Sequence, residues 1–476
     1  IRRKTGMKFY LAGKWVERSE TIPVLNPFDQ QVIDTVPRAT ASDIEEALAA
    51  ATKGSDSMAA LSAYDRFLIL RKAADRLRKD KESLATTLSA EEGKTLAEAR
   101  SEIDRSAQTL ELSGEEAKRL EGEVLPLDAG EGVQGKLGFT LRVPCGVVVA
   151  ISPFNFPLNL VCHKIGPAIA GGNATILKPA SDTPLVAIEL VKILLECGLP
   201  PLGISVLTGS GRDVGETLCQ DTRVRKISFT GSQEVGERIC AIAGLKKVTM
   251  ELGSNSPLVV LPDADLDRVV QGTVQSGYTN ADQVCISAQR LIVVNEIHDE
   301  LLEKLASKVN EIRAGNQLDE SSQVGPMVRP QDAQRVEDWI EKAVSQGAQL
   351  LCGGEREGAL IQPALLSETT ADMTVVREEL FGPAVAVLRA TDEENAIRMA
   401  NDTRFGLSAS LFTRDLDRAL QFAKQVHSGN IHINSGPAWR TDLMPYGGLK
   451  ASGMGKEGPK YAVQEMTETK TIVFHS

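Results

Sequence analysis

The sequence predicts an α/β protein built on a doubly wound parallel sheet, and three observations carry that prediction. From Val143 onward short β-branched runs alternate with amphipathic stretches. The two kinds of segment follow one another at the spacing of strand and crossover helix. At 476 residues the chain is too long for one ordinary core and has room for a second α/β block. Expected strands cover 146–151, 174–177, 204–207, 226–229 and 247–251, with helical stretches near 158–170, 184–196, 213–219 and 233–242. Sheets wound in this way take ligands beyond the carboxyl ends of their strands.

Residues 40–120 are rich in Ala, Leu, Glu, Lys and Arg and read as helical. Ser42-Asp43-Ile44-Glu45 has the form of a capping box, with Ile44, Ala47, Leu48 and Ala51 at helical spacing behind it. The pattern stops around Gly122, Gly130, Gly132, Gly135 and Gly138, and a strand returns near Thr140-Leu141-Arg142-Val143. A second block, 253–445, contains the apolar strand Leu291-Ile292-Val293-Val294 and a helical stretch over 298–313, with alternating elements through Ser410. The tail 466–474 has Thr467, Thr469 and Thr471 before Ile472-Val473-Phe474 and reads as a strand. Neither block offers it an obvious partner, so a neighbouring subunit is one candidate.

The net charge of −11 comes from 64 acidic and 53 basic residues spread along the chain, and no basic run marks a nucleic-acid or anionic-membrane footprint. Seven cysteines (Cys145, Cys162, Cys197, Cys219, Cys240, Cys285, Cys352) at irregular spacings argue against a disulfide framework or zinc site and fit a reducing cytoplasm. The five histidines are scattered, and no metal is expected. The longest apolar stretches, such as 143–151, contain Pro or Gly and fall short of the roughly 20 residues of a membrane span. Ile1-Arg2-Arg3-Lys4-Thr5-Gly6 is basic but lacks the apolar run of a secretory signal; Met7 is the expected natural start.

The chemistry concentrates at strand ends. In Ser152-Pro153-Phe154-Asn155-Phe156-Pro157, two prolines and two aromatics fix a turn around one amide. Asn155 there either caps the following helix or offers a preorganised NH2 to an oxyanion. Lys178, in Leu177-Lys178-Pro179-Ala180-Ser181, is either a solvated charge or a partner for a ribose or phosphate. Phe229-Thr230-Gly231-Ser232 leads into a helix whose N-terminal N–H groups could hold a pyrophosphate, although the G-x-G-x-x-G fingerprint is absent. Glu251-Leu252-Gly253-Ser254 and Gln283-Val284-Cys285-Ile286-Ser287 then supply a carboxylate and a thiol. A free thiol's pKa of about 8.5 must fall before the nucleophilic thiolate is well populated at neutral pH.

Together these motifs, with Glu378-Glu379-Leu380-Phe381-Gly382-Pro383 and Pro445-Tyr446-Gly447-Gly448 followed by Ser452-Gly453, resemble the aldehyde dehydrogenase superfamily in order and over essentially the whole chain. The resemblance implies a cofactor-binding domain (1–117 and 137–252), an α/β catalytic domain (253–445) and a small β oligomerisation arm (118–136 and 462–476). It makes Cys285 the nucleophile, Glu251 the general base, Asn155 an oxyanion donor and Lys178 a further site residue. Ile151, Ser152, Pro153, Phe154, Lys178, Ser181, Gly211, Phe229, Gly231, Ser232, Gly253, Glu379 and Phe381 become the contacts to NAD or NADP. The implied reaction adds Cys285 to an aldehyde, passes a hydride to the nicotinamide and leaves a thioester. Glu251, with a pKa raised above its reference of about 4.3 by burial, then activates the hydrolytic water.

Two positions depart from the family pattern. Asp282 and Ser254 stand where the family usually has glycine, and a carboxylate three residues before the nucleophile could alter the loop or oppose thiolate formation. Ser181 replaces the Glu of NAD-preferring relatives, so NADP is expected to be accepted and preferred over NAD or used beside it. Asn159-Leu160, His163-Lys164-Ile165-Gly166-Pro167 and Arg440-Thr441-Asp442 look most like the branch of lactaldehyde and non-phosphorylating glyceraldehyde-3-phosphate dehydrogenases. That implies a small polar aldehyde substrate, with Arg105, Phe156 and Arg440 as its contacts and Val284 in place of a third arginine. A homodimer or homotetramer is implied. Two rivals remain: a coenzyme-A-acylating enzyme, which needs no water-activating Glu251, and a silent structural protein, which would have lost Cys285 or Glu251.

Overall fold

The computed structural model describes residues 6–475; the basic opening at 1–5 lies outside the described residues. Its first sheet has six strands in the spatial order Gly453–Met454, Lys247–Glu251, Val224–Thr230, Val147–Ile151, Ala174–Lys178, Ile204–Val206. The five expected strands are all present and run parallel, and Gly453–Met454 closes one edge antiparallel. The chain starts at Val147–Ile151, steps outward to one side and returns to the other, so the order reverses between Val147–Ile151 and Val224–Thr230. The register pairs Ile151 with Lys178 and Phe229, and Thr230 with Glu251. One carboxyl edge therefore presents Ser152, Lys178, Gly231 and Glu251, where such sheets open to ligands.

Val147–Ile151 and Ala174–Lys178 are buried along their whole length, as a sheet covered on both faces requires. Helix Asn159–Ala170 is buried all round, His163 and Lys164 included. It lies between the sheet and helices Leu96–Ala117 and Pro459–Glu465.

The helical stretch before the sheet resolves into Ala41–Ala59, Ala63–Lys79, Lys81–Glu92 and Leu96–Ala117. Ile44, Ala47, Leu48 and Ala51 face inward, but the capping box is not Ser42 with Glu45. Thr40 caps the first helix and Asp43 closes the box, because Asp43 reaches back to the Thr40 N–H while Ser42 and Glu45 face solvent. The expected helix at 213–219 is a wide turn, Gly211–Glu216, followed by the short Thr217–Gln220.

The second sheet has seven strands in the order Gln349–Cys352, Ala364–Ser367, Ala384–Ala390, Arg290–Val294, Pro257–Val260, Ser408–Phe412, Asn430–Ile433. All are parallel except Gln349–Cys352. The helix expected over 298–313 is Asn295–Asn310. Each large sheet has its own apolar core.

The terminal strand Thr467–Phe474 finds its partner inside the chain. It pairs antiparallel with Leu137–Pro144 from Thr467↔Pro144 to Phe474↔Leu137, and Val124–Leu125 completes a three-stranded sheet. The strand expected near 140–143, which belongs to neither block, is that partner and extends over eight residues; the sequence marked both strands but not their pairing.

Candidate active site

Cys285 sits at the end of a left-handed turn. Asn280, Ala281 and Asp282 have φ of 54°, 50° and 56°, a run that costs most residues roughly 1–2 kcal/mol each and that Asn and Asp tolerate best. Asp282 thus meets a backbone demand ordinarily met by glycine. Its carboxyl is buried without a hydrogen-bond partner among the described residues, and burial holds its pKa well above the usual range. Burial thus disfavours the charged form of this acid, the form that would oppose a thiolate.

The turn is anchored by Glu98, which accepts from Asn280 N at 2.7 Å, and by Gln283 Nε2 donating to Asn280 O at 3.2 Å. Cys285 is partly exposed and lines a cavity of about 310 Å³ with Arg105, Phe156, Trp439, Arg440 and Tyr446. Its Sγ is 3.2 Å from the Tyr446 hydroxyl. Crowding of the thiol by apolar neighbours pushes its pKa up to about 12, against the Tyr446 hydrogen bond.

Asn155 lies on the facing turn. Its Nδ2 donates to Gln283 O at 2.7 Å, which fixes the amide beside the cysteine loop and leaves the second amide hydrogen available. Three side chains hold this turn in place. Lys94 Nζ and Asn280 Nδ2 both donate to Asn155 O, at 2.8 and 3.0 Å, and Glu102 Oε1 accepts from Leu158 N and Asn159 N. Lys94 and Glu102 are themselves a buried pair at 2.7 Å. Sequence reasoning missed this support; the signal was Glu91-Glu92-Gly93-Lys94, a charge cluster directly before the Thr95/Glu98 capping box.

Glu251 ends its strand buried at 3 % exposure, with neither carboxylate oxygen hydrogen-bonded among the described residues. Burial and the neighbouring charge of Glu457 hold its pKa well above the usual range. Glu457 takes the opposite course. Burial opposes its ionisation, but Lys164 at 2.9 Å and the charges of His163 and Arg440 bring its pKa down to about 2. The surroundings thus favour the charged form of Glu457 and the protonated form of Glu251.

The crevice between the two sheets fits a dinucleotide. Lys178 is buried, its ammonium donates only to Pro179 O at 3.0 Å among the described residues, and burial lowers its pKa to about 8. Ser152 Oγ is buried without a partner among the described residues, next to Ile151 and Pro153 at the same edge. Ser181 Oγ donates to Gly209 O at 3.0 Å, and Gly211, which opens the wide turn, faces open space. A Cβ on Gly231 would run into the Phe229 ring, so the backbone there stays bare just before Ser232, which caps helix Gln233–Ala243.

On the far wall Phe381, at φ 50°, meets Phe154 edge to face at 5.8 Å. Glu379 Oε1 accepts from Ser254 N at 2.9 Å, and its carboxylate fills the space a Cβ on Gly253 would need. Burial raises its pKa to about 7. Ser254 thus acts through its backbone, and its side chain turns to Ser256.

Of the expected substrate contacts, Phe156 and Arg105 face the cavity; Arg105 is tied only loosely to Asp442, at 3.5 Å. Arg440 also lines the cavity but is largely committed. Its guanidinium stacks 3.7 Å from the Tyr446 ring centroid and approaches His163 Nε2 at 3.1 Å and Glu457 at 3.4 Å. Among the described residues no group of three or more His, Cys, Asp or Glu is placed to hold a metal ion, and no helix is long and apolar enough to cross a membrane.

The comparisons with known proteins agree with this geometry. The chain matches the aldehyde dehydrogenase family over residues 15–472. It is 44 % identical over 466 residues to a 3-sulfolactaldehyde dehydrogenase of Priestia megaterium, covering 98 % of this chain and 97 % of that one. It is 41 % identical over 468 residues to a lactaldehyde dehydrogenase of Methanocaldococcus jannaschii, covering 98 % and 99 %. Two solved structures superpose closely. Aldehyde dehydrogenase 21 from Physcomitrella patens, in complex with the reaction product succinate, gives a TM-score of 0.96 at 39 % identity over 100 % of this chain and 99 % of that one. The glyceraldehyde-3-phosphate dehydrogenase GapN from Methanocaldococcus jannaschii, complexed with NADP, gives 0.93 at 39 % identity over 96 % and 100 %. With the two sheets, the cysteine loop and the dinucleotide crevice in place, the chain belongs to the aldehyde dehydrogenase family and is an NAD(P)-dependent oxidoreductase of it.

Proposed function

We propose that the protein oxidises a small polar aldehyde to its carboxylate through a thioester on Cys285, resolved by water that Glu251 activates. The observation that carries this reading is the placement of an unpartnered, buried Glu251 close enough for its charge to act on the Cys285 thiol. Bound NAD(P) supplies the hydride acceptor. Ile151, Ser152, Pro153, Phe154 and Lys178 would line its adenosine and phosphate side, with Ser181, Gly211, Phe229, Gly231 and Ser232. Gly253, Glu379 and Phe381 would face its nicotinamide half.

Cys285 Sγ attacks the aldehyde carbon, and the free hydrogen of the Asn155 amide and the Cys285 N–H stabilise the oxyanion, a role worth several kcal/mol in related chemistry. Oxidation leaves the thioester. Glu251 accepts a proton from water as the water attacks, and its raised pKa makes it a stronger base than an exposed carboxylate. Phe156, Val284 and Trp439 give the cavity an apolar wall, and Arg105 offers a charge to a polar or anionic tail. The names of the lactaldehyde and sulfolactaldehyde relatives support that substrate class.

Ser181 and Lys178 favour NADP, as the NADP-bound relative suggests. The units would be 1–117 with 137–252, 253–445, and 118–136 with 462–476, although strand Leu137–Pro144, placed in the first of these, pairs with the strands of the third. A homodimer or homotetramer in the cytoplasm, joined through the small sheet, completes the proposal.

Replacing Cys285 with Ser tests it. The variant should lose aldehyde oxidation entirely, whereas Ser at Cys145, Cys162, Cys197, Cys219, Cys240 or Cys352 should leave most of it. Turnover retained by Cys285→Ser would sink the covalent route.

A further inference from the structure

The mechanism above leaves one neighbour of Cys285 idle. Tyr446 is 3 % exposed, and the Cys285 thiol, 3.2 Å away, is its hydroxyl's only hydrogen-bond partner among the described residues. The ring cannot swing away. Tyr446 exchanges both backbone hydrogen bonds with Glu457, at 3.1 and 2.7 Å, and the Arg440 guanidinium covers the ring face at 3.7 Å. Arg440 is in turn held by Glu457 and by contact with His163.

The other charged groups facing the thiol, Glu251 and Glu379, disfavour a thiolate, as does burial; Tyr446 and Arg440 favour it. A hydrogen bond donated to the charged form of an acid lowers its pKa, and cysteines become nucleophilic where such donors gather. A cation over a phenol ring also makes its hydroxyl a better donor.

We propose that Tyr446 is a further catalytic residue, whose hydroxyl donates a hydrogen bond to the Cys285 thiolate, with Arg440 polarising the phenol from its ring face. The thiol proton leaves to solvent, and Tyr446 keeps its own, because burial holds the phenol well above its usual pKa. This gives Arg440 a role on the nucleophile besides its place on the cavity wall. The inference rests on Cys285 being the nucleophile.

The test uses the enzyme without cofactor, so that only this chain's residues act on the thiol. The rate of inactivation by iodoacetamide is measured against pH for the wild type and for Tyr446→Phe, which keeps the ring, its stack and its backbone contacts. Mass spectrometry of the Cys285 peptide confirms the alkylated site. The variant should react about tenfold more slowly at every pH at which both proteins stay folded, as a thiol pKa about one unit higher requires. Its kcat/KM should fall while its thermal midpoint stays put. Superimposable profiles, or a variant that reacts faster, would overturn the role of Tyr446. A wild type whose activity survives alkylation of Cys285 would instead overturn the nucleophile itself, and the inference with it. Should Tyr446→Phe fold poorly, Tyr446→His restores a donor beside the sulfur, and a profile closer to the wild type than that of Tyr446→Ala is the expected result; equal profiles for these two would count against the proposal.

Discussion

Ser181 hydrogen-bonds the Gly209 carbonyl beside the turn at Gly211, and in the proposed cofactor pose a carboxylate at this position would crowd the ribose phosphate. Such a phosphate brings roughly two negative charges. Ser181→Glu should therefore raise the KM for NADP about tenfold or more and leave that for NAD the same or lower. The rate with saturating NAD should hardly change, since position 181 is proposed to face the adenosine end of the cofactor, away from the reacting atoms. An unchanged ratio of NADP to NAD efficiency would mean that residue 181 does not face the phosphate. At this scale the reacting groups were legible because each stands in a short run of distinctive residues. Lys94, Glu102 and Asn280 were not, because their work is to hold the backbone of Asn155, Leu158 and Asn159 from 56 to 125 residues away, and nothing local marks a side chain that serves a distant backbone group.

The same kind of long-range support recurs in the elements. Helix Leu185–Glu196 has no side-chain cap of its own; Glu91, from another helix, accepts from Leu185 N at 2.7 Å and Val186 N at 2.9 Å. Glu91→Ala should cost about 2 kcal/mol of stability by leaving these N–H groups unpaired. The urea midpoint would show the loss, while kcat, set elsewhere, should change little. An unaltered midpoint would show that the N–H groups find other partners. Strands of the first sheet were readable from β-branched runs between glycines, since full burial on both faces leaves few other compositions. The first capping box was placed two residues late, since Ser42 and Glu45 satisfy the pattern as well as Thr40 and Asp43. The short strands Phe9–Leu11, Lys14–Val16, Thr21–Leu25 and Val32–Pro37 carry mixed burial and gave no period to read.

At the scale of the whole molecule the site exists only where two sheets meet. The first sheet ends on Glu251, the second block supplies Cys285 and Glu379, and the turn carrying Asn155 is held by helices that precede both. Sequence could order these motifs but not bring them together, and it missed the pairing of the tail with Leu137–Pro144 because that contact spans more than 300 residues. Since Cys285 and Glu251 come from different halves, the two half-reactions should separate cleanly. The Glu251 carboxyl has a raised pKa, and the base acts when deprotonated, so wild-type turnover limited by deacylation should rise as pH increases through that pKa.

The most direct test is Glu251→Gln, mixed rapidly with aldehyde and NADP. It should release one equivalent of reduced cofactor per active site, then stall with the acyl group on Cys285, detectable by intact mass, and lose the rising pH limb. Undiminished steady-state turnover with no acyl adduct would contradict the account.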